Sequence, residues 1–137
     1  MKSRNMVLAA IVLGLASGAA LAGYVQPQPV LIDLVNRTAI GDMLSARNAD
    51  NDLDLIGCGV RTFDIGGGSS LSLGFCSAGD TFGAQISCTT ENPALIDAIH
   101  AISDYSFITF RWDENFQCTA VGNSTQSFYL PNLKVKK

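Results

Sequence analysis

The sequence is poor in the residues that carry most catalytic and nucleic-acid chemistry. It contains one histidine among 137 residues, and only 15% of its residues are charged. Its nine lysines and arginines are outnumbered by twelve aspartates and glutamates. Because nucleic-acid binding depends largely on lysine and arginine neutralising phosphates, this balance argues against it. The glycine triplet at 66–68 is not followed by the lysine of a P-loop. We therefore expect no cofactor and no nucleic-acid partner.

The N-terminus has the pattern of a secretory signal peptide. Lys2 and Arg4 precede an uncharged, largely apolar run over residues 6–21, which ends in a small-x-small pattern. We expect residues 1–22 to be removed, with no stable membrane span left afterwards and a final location in the periplasm or the medium. Losing the two basic residues changes the formal net charge from −3 to −5. Residues 23–137 then form one domain.

The four cysteines predict two disulfides, because an even number in a small exported domain usually forms a disulfide framework. They lack the closely spaced pairs of a structural zinc site. Sequence alone leaves three pairings open. Cys58 and Cys76 are equidistant from the centre of the glycine triplet, so a hairpin with its tip there favours Cys58–Cys76 and leaves Cys88–Cys118. This register places the apolar residues of 71–75 opposite residues 59–63, and a bulge near the glycines would remove that mismatch.

Alternating apolar residues and turn signals predict a mainly β domain, α+β at the margin. The expected architecture is an antiparallel sheet or sandwich of about six or seven strands. The segments with strand character are residues 30–35, 38–47 (favoured over a helix), 55–63, 70–75, 82–88, 106–112, 116–121 and, after a Gly122-Asn123 turn, 124–130; about six or seven of these eight are expected to form strands. The tail over residues 131–137 is expected to be flexible.

Two further patterns refine this prediction. A turn at residues 77–80 pairs two of the strands so that Phe82, Ala84 and Ile86 lie beside residues 71–75 on one face. Asn92 and Pro93 are typical of a helix start, and an apolar stripe follows them. We therefore expect one helix over about 93–103, packed on the sheet.

Three segments are similar to segments of known proteins: Leu55–Cys58 (LIGC), Ile102–Asp113 (ISDYSFITFRWD) and Ser127–Pro131 (SFYLP). With them, the chain resembles small exported bacterial proteins of uncharacterised function. The resemblance spans most of residues 23–137 and implies export and a single domain. It implies no activity, and no functional residues are carried over from it.

The first two candidate sites are acidic. His100 has Asp97 and Asp104 on the same polar face of the predicted helix, an arrangement suited to a general base or a metal ligand. A solvated helix face is the favoured interpretation, because spacing alone supplies no further partner for a catalytic or metal site. Asp50, Asp52 and Asp54 are spaced like calcium ligands, but the EF-hand glycine and glutamate are replaced. A polar turn with solvated carboxylates accounts for these three aspartates, so we assign no metal site.

The third candidate is a recognition surface formed by Arg111 and Trp112 with Asp113 and Tyr105, since arginine and aromatic residues dominate binding hot spots. Alternation along the strand, however, favours a buried Trp112.

The sequence thus points to a non-catalytic binding or interaction domain, with an unidentified protein or glycan as partner. An inhibitor of a secreted peptidase or of a cationic lysozyme is one alternative, because small size, acidic charge and disulfides suit it. A small hydrolase that uses His100 is the other.

Overall fold

A computed structural model describes residues 24–131 of the protein. The predicted signal peptide (1–22) and the predicted tail from residue 132 onward lie outside the described residues. Within 24–131 the chain forms seven strands: β1 (Leu31–Asp33), β2 (Thr38–Asp42), β3 (Leu55–Gly66), β4 (Ser69–Gly79), β5 (Gln85–Thr90), β6 (Phe107–Trp112) and β7 (Cys118–Ser124). Helices α1 (Met43–Arg47) and α2 (Pro93–His100) and a short 3₁₀ helix (Ser127–Tyr129) complete it.

The strands form two antiparallel sheets, which confirms the predicted mainly β class. One sheet has the order β1-β2-β6-β7 and the other has the order β3-β4-β5. The sheets meet where Thr89 of β5 pairs with Gln117 just before β7. Both predicted disulfides are present, and Cys88–Cys118 joins β5 to β7. No helix within 24–131 is long and apolar enough to cross a membrane.

Helix α2 begins as predicted and ends earlier. The side chain of Asn92 accepts a hydrogen bond from the N–H of Ala94, so it satisfies one of the free donors at the helix start. The stripe packs inward, with Ile96 and Ile99 buried. The helix stops at His100 rather than near residue 103, and the residues that follow form a turn in which the hydroxyl of Ser106 bonds the backbone of Ser103.

The segment at 38–47 is half strand and half helix, where a strand was predicted. Strand β2 ends at Asp42, whose carboxylate accepts a hydrogen bond from the N–H of Ser45 and so caps α1. A carboxylate at this position favours helix initiation, and its hydrogen bonds from the N–H and hydroxyl of Ser45 start a helix in the residues that were predicted to continue the strand.

The predicted pairing of β4 with β5 was wrong in register. Strand β4 continues to Gly79, and Ile86 lies opposite Ala78 instead of beside the residues at 71–75. The reversal occurs over residues 80–84, because the carboxylate of Asp80 accepts hydrogen bonds from the N–H groups of Phe82 and Ala84. Phe82 is therefore 85% exposed at the turn instead of packed on a strand.

The predicted hairpin turn at Gly122-Asn123 was also wrong. Both residues lie within β7, opposite Thr109 and Ile108 of β6. The reversal between these two strands occurs at residues 113–117, where the carboxylate of Asp113 accepts two backbone hydrogen bonds. The chain after β7 then forms the 3₁₀ helix rather than the predicted strand at 124–130.

The β3–β4 hairpin has the predicted register. The predicted mismatch, with the apolar residues of 71–75 opposite residues 59–63, is also present. Cys58 lies directly opposite Cys76, and the one register shift falls between Asp64 and Gly66, beside the glycine tip. This bulge comes too late to re-pair the rest of the hairpin. Phe63 and Leu71 therefore face each other on the outer surface of the sheet, and they are 49% and 41% exposed.

Candidate binding groove

A groove of about 690 Å³ lies where α1, the loop before β3 and the turn after α2 come together. Its volume falls within the range of ligand-binding pockets in proteins. It is lined by Met43, Leu44, Ala46, Arg47, Ala49, Asn51, Asp52, Asp54, Leu55, Ile56, Asp104 and Tyr105. Four of these residues, Asp52, Asp54, Asp104 and Tyr105, were singled out from the sequence under three separate hypotheses, and the fold places them around one space.

The first wall is helix α1, which is held at its N-terminus by a buried carboxylate. Asp42 is 1% exposed and accepts three hydrogen bonds of 2.6 Å, from the N–H of Gln28 and from the N–H and hydroxyl of Ser45. The N–H of Met43 also donates to the carbonyl of Ser106. These bonds tie the start of α1 to two distant segments, so the helix is a fixed wall.

The second wall is the loop that leads into β3. The side-chain oxygen of Asn51 accepts hydrogen bonds from the N–H groups of Leu53 and Asp54, at 2.8 and 2.9 Å. This Asx turn brings Asp54 back against the sheet. The carbonyl of Leu53 passes so close to Gly79 that a Cβ there would lie 2.7 Å from it.

Asp54 carries the most unusual atom in this wall. Its Oδ1 is buried and has no hydrogen-bond partner among the described residues. A buried carboxylate oxygen without a partner costs on the order of 1–3 kcal/mol or more, so each such atom calls for a physical explanation.

The third wall is the turn that joins α2 to β6. Ser106 is fully buried, and its hydroxyl donates to the carbonyl of Ser103 and accepts from the N–H of Ser103. This clamp holds the two residues between them, Asp104 and Tyr105, at the groove. Tyr105 has a φ of 62°, in the left-handed region that side chains other than glycine seldom adopt. The turn therefore imposes the position of Tyr105 against its local backbone preference.

The groove lining combines apolar side chains with carboxylates. Met43, Leu44, Ala46 and Ile56 supply apolar side chains. Asp52, Asp54 and Asp104 carry three carboxylates against the one guanidinium of Arg47. Within the described residues, no group of three or more histidine, cysteine, aspartate or glutamate side chains is placed to hold a metal ion. Asp50, the other member of the aspartate series, is exposed and does not line the groove.

The histidine lies outside this arrangement. His100 is exposed at the last position of α2, and Asp97 is exposed one turn earlier. Asp104 lines the groove, whereas His100 and Asp97 do not. Of the three residues grouped from the sequence, only Asp104 therefore belongs to the groove.

Most of the predicted recognition surface is likewise divided. Trp112 is 6% exposed and packs against the fully buried Phe110, with ring centroids 5.9 Å apart. Strand alternation correctly indicated this burial, and the ring is not available to a ligand from solvent. Arg111 is exposed, and Asp113 shapes the β6–β7 turn. Only Tyr105 of this set reaches the groove.

Sequence reasoning missed the residues that α1 contributes, above all Arg47 and Met43. They were hidden because the segment was predicted as a strand. The available signal was Asp42, a good N-cap residue placed directly before a run of helix-forming residues.

A second exposed surface lies on the outer face of the β3–β4 hairpin. Arg61 is held 5.0 Å over the ring of Phe75, and a Cβ at Gly59 would lie 2.8 Å from the same ring. Farther along this face, Phe63 and Leu71 are the partly exposed pair described above. Contiguous exposed apolar side chains can serve as contact or aggregation surfaces.

The chain matches no protein-family model, and comparison with curated protein sequences and with solved structures gave no significant match.

Proposed function

We propose that this protein is an exported, non-catalytic binding domain, and that its groove receives a basic side chain of a protein partner. The observation that carries the proposal is the buried, unpartnered Oδ1 of Asp54 in the groove wall. A lysine or arginine of the partner supplies the missing donor and neutralises the carboxylate at the same time.

The rest of the groove fits the same class of group. Lysine and arginine have an apolar stem and a charged end, so the stem packs on apolar side chains while the charge reaches polar groups. Met43 and Ile56 supply apolar lining, and Asp52 and Asp104 add negative charge. Tyr105 offers an aromatic ring, which attracts cations through its face.

The charge of the whole domain supports a basic partner. The formal net charge of the full chain is −3, and loss of the predicted signal peptide makes it more negative. Such a charge accelerates encounter with a basic protein. A secreted basic enzyme such as a lysozyme presents lysine and arginine in this way, so an inhibitor is one instance of the proposed function.

The test is a titration of the isotopically labelled protein with N-acetyl-lysine methylamide, followed by NMR chemical shifts. Its norleucine counterpart, which has the stem without the charge, is the comparison probe. We expect shifts at Arg47, Asp54 and Tyr105, and norleucine binding at least about tenfold weaker, because a hydrogen bond between charged groups is worth roughly 1.5–3 kcal/mol.

Two variants separate the groove from general electrostatics. Asp54→Asn removes the charge in the groove wall, and Asp50→Asn removes the same charge from an exposed position that does not line it. We expect about tenfold weaker lysine binding in the first variant and less than a twofold change in the second. Equal losses in both variants, equal binding of the two probes, or shifts confined to other parts of the fold would each refute the proposal.

A further inference from the structure

Three of the four cysteines stand in one row across the three-stranded sheet. Cys58 of β3 lies directly opposite Cys76 of β4, and Cys76 lies directly opposite Cys88 of β5. Directly opposite residues project from the same face of a sheet, so the three side chains share one face. Cys76 is bonded to Cys58, while Cys88 is bonded across to Cys118 of the other sheet. Cys76 therefore has a cysteine neighbour on each side and a bond to only one of them.

We propose that this row is an internal thiol–disulfide exchange relay, in which opening the Cys88–Cys118 bond leads to release of a thiol at Cys58. Two equivalents of a small thiol reductant first open Cys88–Cys118, which leaves thiols on Cys88 and Cys118, and the reductant is oxidised to its disulfide. The Cys88 thiolate then attacks Sγ of Cys76, and a Cys76–Cys88 bond forms. The Cys58–Cys76 bond breaks, and its electron pair leaves on Cys58, which takes a proton from water. The exchange step itself consumes no oxidant or reductant.

The order of the strands decides which sulfur is attacked. Thiol–disulfide exchange proceeds by attack of a thiolate on one sulfur with departure of the other from the far side. In the row, Cys88 and Cys58 flank Cys76 on opposite sides, with neighbouring strands about 4.8 Å apart. Cys58 is two strands from Cys88, roughly 10 Å away, so Cys76 is the sulfur within reach.

The product of the exchange fits the same backbone. Directly opposite residues on antiparallel strands have Cα atoms about 4.5 or 5.5 Å apart, and both spacings lie within the range that a disulfide bridges. The pairing of β4 with β5 therefore places Cys76 and Cys88 at a separation that a disulfide can span.

The relay moves a thiol from the interior to the edge of the sheet. Cys76, Cys88 and Cys118 are 0%, 1% and 5% exposed, so they are shielded from other proteins. Cys58 is partly exposed and lies on β3, an edge strand. Reduction of Cys88–Cys118 thus leads to an accessible thiol at Cys58, with which a second molecule can form a mixed disulfide.

The test uses the variant Cys118→Ser, in which Cys88 lacks its partner from the start and no reductant is needed. The monomer is kept at pH 8, quenched in acid, alkylated, and mapped by mass spectrometry. We expect the label on Cys58 as well as Cys88, and a Cys76–Cys88 disulfide in at least about one tenth of the molecules. In the matched variant Cys88→Ser the free thiol is Cys118, which is not in the row, so only Cys118 should be labelled.

Partial reduction of the unaltered protein gives an independent reading if the variant does not fold. Species that have lost one disulfide are trapped by alkylation and mapped in the same way. The relay predicts molecules labelled at Cys58 and Cys118 that retain Cys76–Cys88. Label confined to Cys88 and Cys118 in this experiment, or to Cys88 alone in folded Cys118→Ser, would overturn the proposal.

Discussion

Two glycine-to-alanine substitutions in the β3–β4 hairpin should have opposite effects on stability. A Cβ at Gly74 would lie 2.9 Å from Cδ1 of Ile99, 3.0 Å from Cγ2 of Thr90 and 3.3 Å from Cγ1 of Ile96. Gly74 is thus the position where α2 rests on the sheet. A Cβ at Gly57, in the same hairpin, would meet nothing within 4 Å.

The magnitudes follow from these contacts. Overfilling a packed core costs about 1–3 kcal/mol. Cδ1 of Ile99 is the end of a flexible side chain and can move, but Thr90 is 4% exposed and stiff because it is β-branched. We therefore take about 2 kcal/mol for the clash at Gly74. Alanine also reduces the conformational entropy of the unfolded chain, which raises the free energy of unfolding of either variant by roughly 0.4–1 kcal/mol. The net expectation is a loss of about 1–1.5 kcal/mol for Gly74→Ala and a gain of about 0.5 kcal/mol for Gly57→Ala.

The assay is thermal and urea unfolding followed by circular dichroism, with both disulfides intact. For a domain of this size, 1 kcal/mol corresponds to about 4 °C in Tm, so the two variants should differ by roughly 6–8 °C. If Gly74→Ala were as stable as Gly57→Ala, α2 would not be seated on β4 as the structure describes.

Three further predictions follow from buried and exposed side chains. Asp42→Ala removes the acceptor of three hydrogen bonds at a 1% exposed site, and should lower the free energy of unfolding by about 3 kcal/mol in urea titrations. Asp33→Ala, at an exposed turn, is the control, and an equal loss there would contradict the burial argument. Burial, with smaller contributions from Asp42 and Tyr24, raises the pKa of Tyr129. Its contribution to stability is therefore complete below about pH 10 and is lost as the pH rises through the folded-state pKa. Tyr129→Phe should flatten the fall in urea midpoint above pH 10, and an unchanged fall would assign it to other groups. Finally, Phe63→Ser should reduce binding of a hydrophobic dye while changing the free energy of unfolding by less than about 1 kcal/mol, and unchanged dye binding would place the apolar surface elsewhere.

Local patterns were sufficient for the elements whose causes are local. Asn92 and Pro93 mark the start of α2, because a cap acts within one turn of the residue that supplies it. The alternation through Trp112 correctly indicated which side of β6 is buried. The disulfide pairing was also correct, because the glycine tip sets the register between Cys58 and Cys76 over a short span.

Local patterns failed where two turn signals competed. Residues 77–80 and residues 80–84 both carry turn-forming residues, and the hydrogen bonds of Asp80 select the second. That choice moves the register of the whole β4–β5 pair, because a hairpin's register is set by its turn. Gly122 and Asn123 also carry a turn signal that the fold does not use. The turn shaped by Asp113 sets the pairing of β6 with β7, and this pairing places both residues inside β7.

The sequence by itself determined the class of fold, the disulfide framework and the acidic, histidine-poor character that directs attention to binding. Only the tertiary structure decided that Asp54, Asp104 and Tyr105 line one groove, and that Asp104 is there without His100. The physical reason is distance along the chain. The groove's walls come from three segments whose proximity depends on α1 and two loops being fixed by hydrogen bonds between remote residues, such as Met43 with Ser106. No local periodicity records such bonds, since they form only when the two sheets close around their shared core.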